Sequence, residues 1–305
     1  MTEKPIRNIA ASVSQRLTNL SRKKSEDFQL LLTRYCIERL LYRLSQSEHS
    51  EQFVLKGAML FTLWSNQPYR PTRDLDLPGK SVSSAAQLRK VFQDVSKMKV
   101  EDDGVIFEPE SVQAAPIREE QEYGGIRVEL VARLAQARLR LQVDVGFGDA
   151  LVPKPQEVDY PSILGFPQPR LLAYRRETMV AEKFQTMVVL GIANSRMRDF
   201  YDLWAFAVQF DFEGPPLSQA IKATFTRRKT TLPMETPLAL TSQFHQDRNK
   251  QAQWNAFLRK GHLRGEGRAL SDVAGLLVEF LMPPTVAVTS GQEFRKVWPA
   301  GGPWR

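Results

Sequence analysis

The sequence predicts an α+β protein in which a β-sheet with flanking helices precedes a mainly helical C-terminal domain. Residues 28–44 place apolar side chains at helical spacing, residues 104–147 alternate apolar and polar side chains as strands do, and helical spacing returns after residue 172. With 305 residues, 42% of them hydrophobic, the chain is long enough for one large domain or two ordinary ones.

A helix is predicted over residues 28–44 because FQLLLTRYCIERLLYRL has apolar residues at every third or fourth position. Ser25 is its predicted N-cap, since Glu26 and Asp27 follow and acidic side chains stabilise the first turn of a helix. Cys36, the single cysteine, lies on the apolar stripe. It is therefore interpreted as a core residue, and an internal disulfide is excluded.

Strand periodicity follows a second predicted helix, which begins near Lys56 or Gly57. The strand signals are the segments RPTRDLDL, GVIFEP, GIRVELVARL and RLRLQVDVGF at residues 70–77, 104–109, 125–134 and 138–147. Only a short connection separates the last two segments, so we expect them to form a hairpin.

Proline-rich sequence marks a predicted boundary between two domains. Five prolines lie between residues 153 and 169, and the boundary is placed at the far end of this segment, which gives domains 1–172 and 173–305. Beyond it the sequence predicts two helices broken at Gly191–Ser195, and most of the remainder is also helical. The tail from residue 289 is expected to be irregular.

Two aspartates share one face of the first predicted strand. Side chains alternate along a strand, so Asp74 and Asp76 point to one side while Leu75 points to the other. Like charges on one face repel and aspartate is disfavoured in strands, so a bound cation would explain the pair. If the segment 138–147 lies beside this strand, Asp144 becomes a third ligand for Mg²⁺ or Mn²⁺.

Such a metal site would indicate phosphoryl or nucleotidyl transfer, in which divalent ions hold the attacking and the leaving oxygen. A purely structural interpretation competes with it. The string D-x-D is common in proteins, and Asp144 could be an ordinary residue at the end of a strand.

The net charge favours polyanionic partners. Lys and Arg number 42 against 34 Asp and Glu, and the resulting charge of +8 attracts nucleotides or RNA. The N-terminal sequence MTEKPIRNIAAS lacks the apolar region of a signal peptide, and the apolar run around residues 276–281 is much shorter than the roughly 20 residues of a membrane span. A cytoplasmic protein without a membrane partner is expected.

Four segments together carry a resemblance to a known family. They are FVLKGAML, RPTRDLDL, LQVDVGFGD and VAEKFQTMVVLGIANSRMRDFYDLW. With them the chain resembles the nucleotidyltransferases of the DNA polymerase β superfamily and, within it, the AbiEii/AbiGii-type abortive-infection toxins of bacterial toxin–antitoxin systems. The resemblance implies a nucleotidyltransferase-type mixed sheet, a role in phage defence and a cognate antitoxin protein.

The resemblance also implies a metal-dependent reaction. Asp74 and Asp76 would hold Mg²⁺ or Mn²⁺, and Asp144 would complete the metal site and help to deprotonate the attacking hydroxyl. A nucleoside monophosphate would pass from a nucleoside triphosphate to an acceptor hydroxyl, with release of pyrophosphate. Transfer RNA is an acceptor that the resemblance implies.

The resemblance implies that Lys183 takes part in catalysis by binding a phosphate of the nucleotide. It also implies that Asp199 or Asp202 supports that lysine or the incoming base. The alternatives are a solvated lysine and an exposed flank of two helix salt bridges, Arg196–Asp199 and Arg198–Asp202. The other nucleotide-binding positions that the resemblance implies are Lys56, Gly57 and Ala58, the last of which is glycine or serine in many relatives.

A basic run in the C-terminal domain is a candidate for RNA or phosphate contact. Arg227, Arg228 and Lys229 follow one another, and a solvated charge run is as good an interpretation as a phosphate site. Two other functions compete with nucleotidyl transfer. One is a nucleotide- or RNA-binding protein on the same fold without turnover, and the other is kinase-like phosphoryl transfer.

Overall fold

Helices and strands are mixed throughout the computed structural model. Within the residues that the structure describes it has ten α-helices and eight strands, so the predicted α+β class is confirmed. The described residues are 8–65, 72, 74–117, 125–261 and 268–305.

The chain divides into two compact units. The first comprises Met1–Gly148 and Gln156–Ala173, and the second comprises Asp149–Pro155 and Tyr174–Arg305. The boundary between domains at residues 172 and 173 stays a prediction.

The first unit contains four helices: α1 (Ile9–Lys24), α2 (Phe28–Ser45), α3 (Leu60–Ser65) and α4 (Ala85–Lys97). The predicted N-cap Ser25 is wrong. Ser25 instead ends α1 in the left-handed conformation with φ 52°, and Asp27 caps α2 by accepting the N–H of Leu30 at 2.9 Å. The reason is that the preceding helix ends immediately before Ser25, so this residue serves the end of α1.

Cys36 lies in the core on α2, as predicted. Its side chain is fully buried, and burial, followed by the nearby charge of Asp103, raises the pKa of its thiol to about 12. The thiol therefore stays protonated near neutral pH and takes no part in nucleophilic chemistry.

A four-stranded mixed sheet is the centre of the first unit. Its strands lie in the order β1-β4-β3-β2, with β1 parallel to β4 and the other pairs antiparallel. The bounds are β1 (Asp74–Asp76), β2 (Val105–Ile117), β3 (Gly125–Leu134) and β4 (Ala137–Val145). Each strand overlaps a predicted segment, but β2 continues to Ile117, beyond the predicted end at residue 109. Arg70, Pro71 and Arg73 of the first segment lie outside the described residues.

The sheet presents one apolar and one polar face. The buried side chains of β4 are Leu139, Leu141, Val143 and Val145. The side chains that alternate with them are exposed or half-buried: Arg138, Arg140, Gln142 and Asp144. This alternation was predicted, and it places the candidate functional residues on the polar face.

A short extended segment covers the other edge of β1. The N–H of Val54 donates to the carbonyl of Pro78 at 3.0 Å, and Lys56 forms an antiparallel bridge with Asp76. The extended segment therefore fixes the position of the residues that follow Lys56.

The first unit also contains a separate antiparallel pair of strands, β5 (Gln156–Asp159) and β6 (Arg170–Ala173).

The second unit is mainly helical. Its helices are α5 (Arg176–Leu190), α6 (Met197–Gln209), α7 (Gly214–Arg227), α8 (Ser242–His245), α9 (Arg248–Lys260) and α10 (Leu270–Thr289). The predicted break between the first two is confirmed, and Gly191 ends α5 with φ 47°. Two short strands, β7 (Phe212–Glu213) and β8 (Val297–Trp298), pair with each other.

The expectation of an irregular tail is wrong in part, because the C-terminal residues pack into the second unit. Trp298 of β8 is fully buried and donates its indole N–H to the carbonyl of Ala207 at 2.7 Å. Trp304 donates to the carbonyl of Phe280 at 3.0 Å. Large aromatic side chains give this segment enough buried area to order it despite its glycines and prolines.

Helix α10 is long and apolar enough to cross a membrane by length and composition, which the run at residues 276–281 alone did not indicate. Half of its most apolar stretch is buried within the protein, and it packs against α6 and α7 of the same unit. Phe280 and Leu281 are fully buried. Core packing therefore accounts for its composition.

A buried ion pair links α2 to the sheet in the first unit. The guanidinium of Arg43 donates to both oxygens of Asp103 at 2.7 and 3.1 Å and to the carbonyl of Val105 at 3.0 Å. Tyr35 donates its hydroxyl to the carbonyl of Asp103 at 2.7 Å. The exposed fractions of the Arg43 and Asp103 side chains are 7% and 1%, so water does little to screen the pair.

Asp103→Ala is expected to lower the free energy of unfolding by about 3–5 kcal/mol, because Arg43 then remains as a buried charge without its carboxylate. Denaturant unfolding followed by circular dichroism measures the loss. Glu108→Ala is the matched control, since it removes the acid of the exposed Arg133–Glu108 pair on the sheet and should have a much smaller effect. Equal losses in the two variants would contradict this account of the core.

Candidate active site

Three aspartates lie on one face of the paired strands β1 and β4. The parallel register aligns Asp74 with Gln142 and Asp76 with Asp144. Because aligned residues of neighbouring strands point the same way, Asp76 and Asp144 are side by side, with Asp74 one step along the same face. Asp74 is exposed, and Asp76 and Asp144 are half-buried. The metal hypothesis required this strand pairing; the roles of the three carboxylates stay predictions.

A glycine turn passes directly against Asp76. The N–H of Lys56 donates to the carbonyl of Asp76 at 3.0 Å, and the turn Gly57–Met59 follows at once. Gly57 has φ 82°, and a β-carbon at this position would lie 2.0 Å from Oδ2 of Asp76. Glycine both adopts this backbone conformation and leaves room for the carboxylate. Nucleotide contact by Lys56, Gly57 and Ala58 stays a prediction.

Arg127 on β3 holds the third carboxylate, a contact that was not predicted from the sequence. Its Nε donates to Oδ1 of Asp144 at 2.8 Å and its Nη2 to Oδ2 at 2.9 Å. Gln142 Nε2 also lies 3.3 Å from both oxygens of Asp144. The hydrogen bond to Asp144, together with the charges of Asp144 and Asp74, raises the pKa of Arg127 above its ordinary value.

The donors suit a hard divalent cation but do not form a three-ligand group. Mg²⁺ and Mn²⁺ favour carboxylate oxygens, and Asp74 and Asp76 present two carboxylates on one strand. Asp144 is engaged by Arg127. In the part of the chain that the structure describes, no three His, Cys, Asp or Glu side chains are grouped to hold a metal ion. The residues present therefore fit an ion held by Asp74 and Asp76, with water and substrate as further ligands.

A lysine between two buried aspartates forms a separate cluster within the second unit. Lys183 Nζ on α5 lies 2.6 Å from Oδ1 of Asp199 and 2.9 Å from Oδ2 of Asp202, both on α6. The exposed side-chain fractions of these three residues are 16%, 8% and 0%. Both aspartates contact the lysine. The alternatives of a solvated lysine and an exposed acidic flank are therefore wrong, because the two acids turn toward α5.

The basic run at the end of α7 has one residue that turns inward. Arg228 Nη2 lies 3.0 Å from Oδ1 of Asp149, and Nη1 donates to the side-chain oxygen of Gln185 at 2.8 Å. Burial lowers the pKa of Arg228, but the neighbouring carboxylates outweigh burial and raise it overall. Arg227 and Lys229 are exposed. Contact of these three basic residues with phosphate or RNA stays a prediction.

This arrangement is typical of nucleotidyltransferases. A mixed sheet carries a D-x-D strand, with a glycine turn on one side of that strand and a further aspartate on the neighbouring strand at its other side. The family model described as "Nucleotidyl transferase AbiEii toxin, Type IV TA system" matches residues 39–269, which is most of the chain. The chain belongs to this AbiEii family, and the resemblance found in the sequence is confirmed.

Solved structures are similar to this one at low sequence identity. JHP933 from Helicobacter pylori matches with a TM-score of 0.50 and 13% identity, over 87% of this chain and 96% of that one. An antigenic nucleotidyltransferase-like protein from Paracoccidioides brasiliensis matches with a TM-score of 0.35 and 13% identity, over 79% and 92%. No curated protein matches the chain. At this identity the likeness to JHP933 concerns the fold alone.

Gly57→Ala is expected to displace the Asp76 carboxylate and to weaken Mn²⁺ binding at least about tenfold, or 1.4 kcal/mol. Gly165→Ala is the matched control, because Gly165 also has positive φ, 79°, but nothing lies within 4 Å of an added β-carbon. Both variants should lose about 1–2 kcal/mol of stability through backbone strain, and Gly57→Ala should lose more because its β-carbon displaces Asp76. Calorimetric titration with Mn²⁺ separates them. Unchanged Mn²⁺ affinity in Gly57→Ala would show that Asp76 is not a ligand.

Lys183→Met is expected to destabilise the protein by about 3–5 kcal/mol, because two buried carboxylates lose their shared ammonium. In the double variant Lys183→Met/Asp202→Asn one of these charges is gone, so it should be more stable than Lys183→Met alone. Denaturant unfolding measures both. Lys222→Met, on the exposed face of α7, is the control and should change little. A double variant less stable than the single one would contradict the charge argument.

Proposed function

We propose that this AbiEii-family protein is a toxin that uses Mg²⁺ or Mn²⁺ to transfer a nucleoside monophosphate from a nucleoside triphosphate to an acceptor hydroxyl. The observation that carries the proposal is the register of β1 and β4, which brings Asp76 and Asp144 side by side and leaves Asp74 on the same face. Arg127 balances the charge of Asp144, and the carboxylates of Asp74 and Asp76 on β1 then call for a further positive ligand. A divalent ion with bound triphosphate meets that need.

In this proposal Asp74 and Asp76 hold the ion, which when bound polarises the α-phosphate and stabilises charge on its oxygens. The acceptor oxygen forms a bond to the α-phosphorus, and the bond from that phosphorus to the bridging oxygen of the β-phosphate breaks. Pyrophosphate leaves, and the acceptor hydroxyl gives up its proton to solvent water. The close approach of Gly57 orients the carboxylate of Asp76 for this task.

We assign to Lys183 the phosphate contact that its motif implies. Its ammonium is fixed by Asp199 and Asp202 at 2.6 and 2.9 Å, so little side-chain freedom remains to be lost when a phosphate oxygen binds. Without Asp199 and Asp202 the ammonium of Lys183 would be solvated and would lose this preorganisation. Lysine suits the role because its ammonium is a compact positive charge.

RNA is the acceptor class that the charge distribution supports, and transfer RNA is the member to test first. The net charge of +8 favours a polyanion. Exposed guanidinium groups of Arg138 and Arg140 lie on the strand face that also carries Asp144, and Arg227 and Lys229 are exposed in the second unit. We further propose a cytoplasmic location and a role in phage defence, with a cognate antitoxin as the protein partner that a type IV system implies.

One observation favours a second candidate function, that of a protein that binds nucleotide or RNA without turnover. Asp144 is paired with Arg127, so the third carboxylate is not gathered with the other two around a common ion. A nucleotide could then bind without being activated for attack. The products of the reaction distinguish this function from nucleotidyl transfer and from kinase-like phosphoryl transfer.

Asp74→Asn and Asp76→Asn are expected to lower transfer at least about 10²-fold, because each removes a charged ligand of the ion. The assay follows α-³²P label from each of the four nucleoside triphosphates into purified transfer RNA and total RNA, together with pyrophosphate release. EDTA should abolish transfer. Glu108→Gln is the control: it changes an acid on the same sheet face away from β1 and should leave transfer intact.

The products decide between the candidate functions. Labelled RNA with pyrophosphate supports nucleotidyl transfer, nucleoside diphosphate indicates phosphoryl transfer, and bound nucleotide without turnover indicates a binding protein. Wild-type rates in both Asp74→Asn and Asp76→Asn would overturn the proposed metal site.

A further inference from the structure

Arg127 provides a fixed positive charge at the candidate site. Its guanidinium makes two parallel hydrogen bonds to Asp144, at 2.8 and 2.9 Å, from the neighbouring strand β3. This bidentate geometry is the strongest form of an Arg–carboxylate pair. The exposed fraction of the Arg127 side chain is 42%, so the group lies at the surface of the polar face.

Two other arginines on this face pair with glutamates and not with an aspartate of the candidate site. Arg133 pairs with Glu108, and Arg140 on β4 lies 3.6 Å from Glu129 of β3. Arg127 alone among these three is aligned with a residue of the segment that pairs with β1. The charge of Asp74 also contributes to its raised pKa. Arg127 is therefore part of the electrostatics of the D-x-D strand as well as a partner of Asp144.

Charge balance limits the number of divalent ions that this arrangement attracts. Glu129, another acid whose charge acts on Arg127, lies 3.6 Å from Arg140. With Asp144 balanced by Arg127, the carboxylates of Asp74 and Asp76 remain, and one divalent ion neutralises their two negative charges. A second ion would have to compete with a guanidinium that already uses both oxygens of Asp144.

The hydrogen bonds to Asp144 leave part of the guanidinium for another oxyanion. Nε and one N–H of Nη2 serve Asp144, while Nη1 and the second N–H of Nη2 form a separate edge of the planar group. Two donors on one edge match two oxygens of a phosphate group. A lysine could not satisfy a carboxylate and a phosphate with the same fixed geometry.

We propose that Arg127 takes the place of a second metal ion: one divalent ion is held by Asp74 and Asp76, while Asp144 is a positioning residue that orients Arg127 toward a substrate phosphate. This inference rests on the proposed nucleotidyl transfer, and it changes the role expected for Asp144. The carboxylate holds a guanidinium and is not a third metal ligand or a general base.

Counting ions tests the proposal directly. Equilibrium dialysis of Mn²⁺ is carried out with each α,β-methylene nucleoside triphosphate at equal concentration on both sides of the membrane, so that ions bound to free nucleotide cancel. The wild-type protein is expected to retain one Mn²⁺ per chain. Arg127→Ala should retain two, because Asp144 becomes available as a ligand, and Arg127→Ala/Asp144→Asn should return to one.

Matched variants separate this effect from a general loss of positive charge. Arg133→Ala, on the same strand and face, should leave the count at one. Arg127→Gln repeats the test with a side chain that keeps polar packing, and melting curves establish that each variant is folded. Affinity for the triphosphate analogues should fall at least about tenfold in Arg127→Ala and stay unchanged in Arg133→Ala.

The outcomes distinguish this inference from the proposed function. Two ions in the wild-type protein, or one ion in both Arg127→Ala and Arg127→Gln, would overturn the role of Arg127 and leave metal-dependent transfer standing. No retained ion in the wild-type protein, with the same analogues bound, would overturn metal dependence itself and this inference with it. A second ion in Arg127→Ala that persists in the double variant would show that Asp144 is not its ligand.

Discussion

Repulsion among carboxylates on one sheet face is the constraint around which the first unit is arranged. The parallel pairing of β1 with β4 sets Asp76 beside Asp144, and Leu75 is buried on the opposite face, so the acids cannot turn away without exposing the core. A glycine turn gives one carboxylate room, and a guanidinium on β3 balances another. The apolar packing of the sheet thus enforces an electrostatic arrangement that would not form by itself.

The sheet was largely predictable because strand alternation is a local property. The pattern around Asp74 and Asp144 gave the polar face directly, and side chains of β4 follow it residue by residue. The Arg127–Asp144 pair was also within reach: two residues connect β3 to β4, which pairs Leu134 with Ala137 and hence Arg127 with Asp144. Asp144 was predicted to be a metal ligand, whereas the hairpin register makes Arg127 its partner.

The helical cluster was less predictable because it depends on contacts between helices. Within α6 alone, Asp199 and Asp202 look like members of an exposed flank with nearby arginines. Packing of α5 against α6 reverses that assignment, since Lys183 supplies the compensating charge from another element. The ordered tail was missed for a similar reason: Trp298 is held by residues far away in sequence. Sequence periodicity reports the face of a helix or strand but not the neighbour that covers it.

The burial of Cys36 has a practical consequence for spectroscopy. The chain has one cysteine, and its thiol is enclosed and has a pKa of about 12, so maleimide or nitroxide reagents should leave it unmodified while the protein is folded. A cysteine introduced on the surface of either unit can then carry a fluorophore or spin label without removal of the native thiol. The natural chain is in effect a cysteine-free background for distance measurements between its two units.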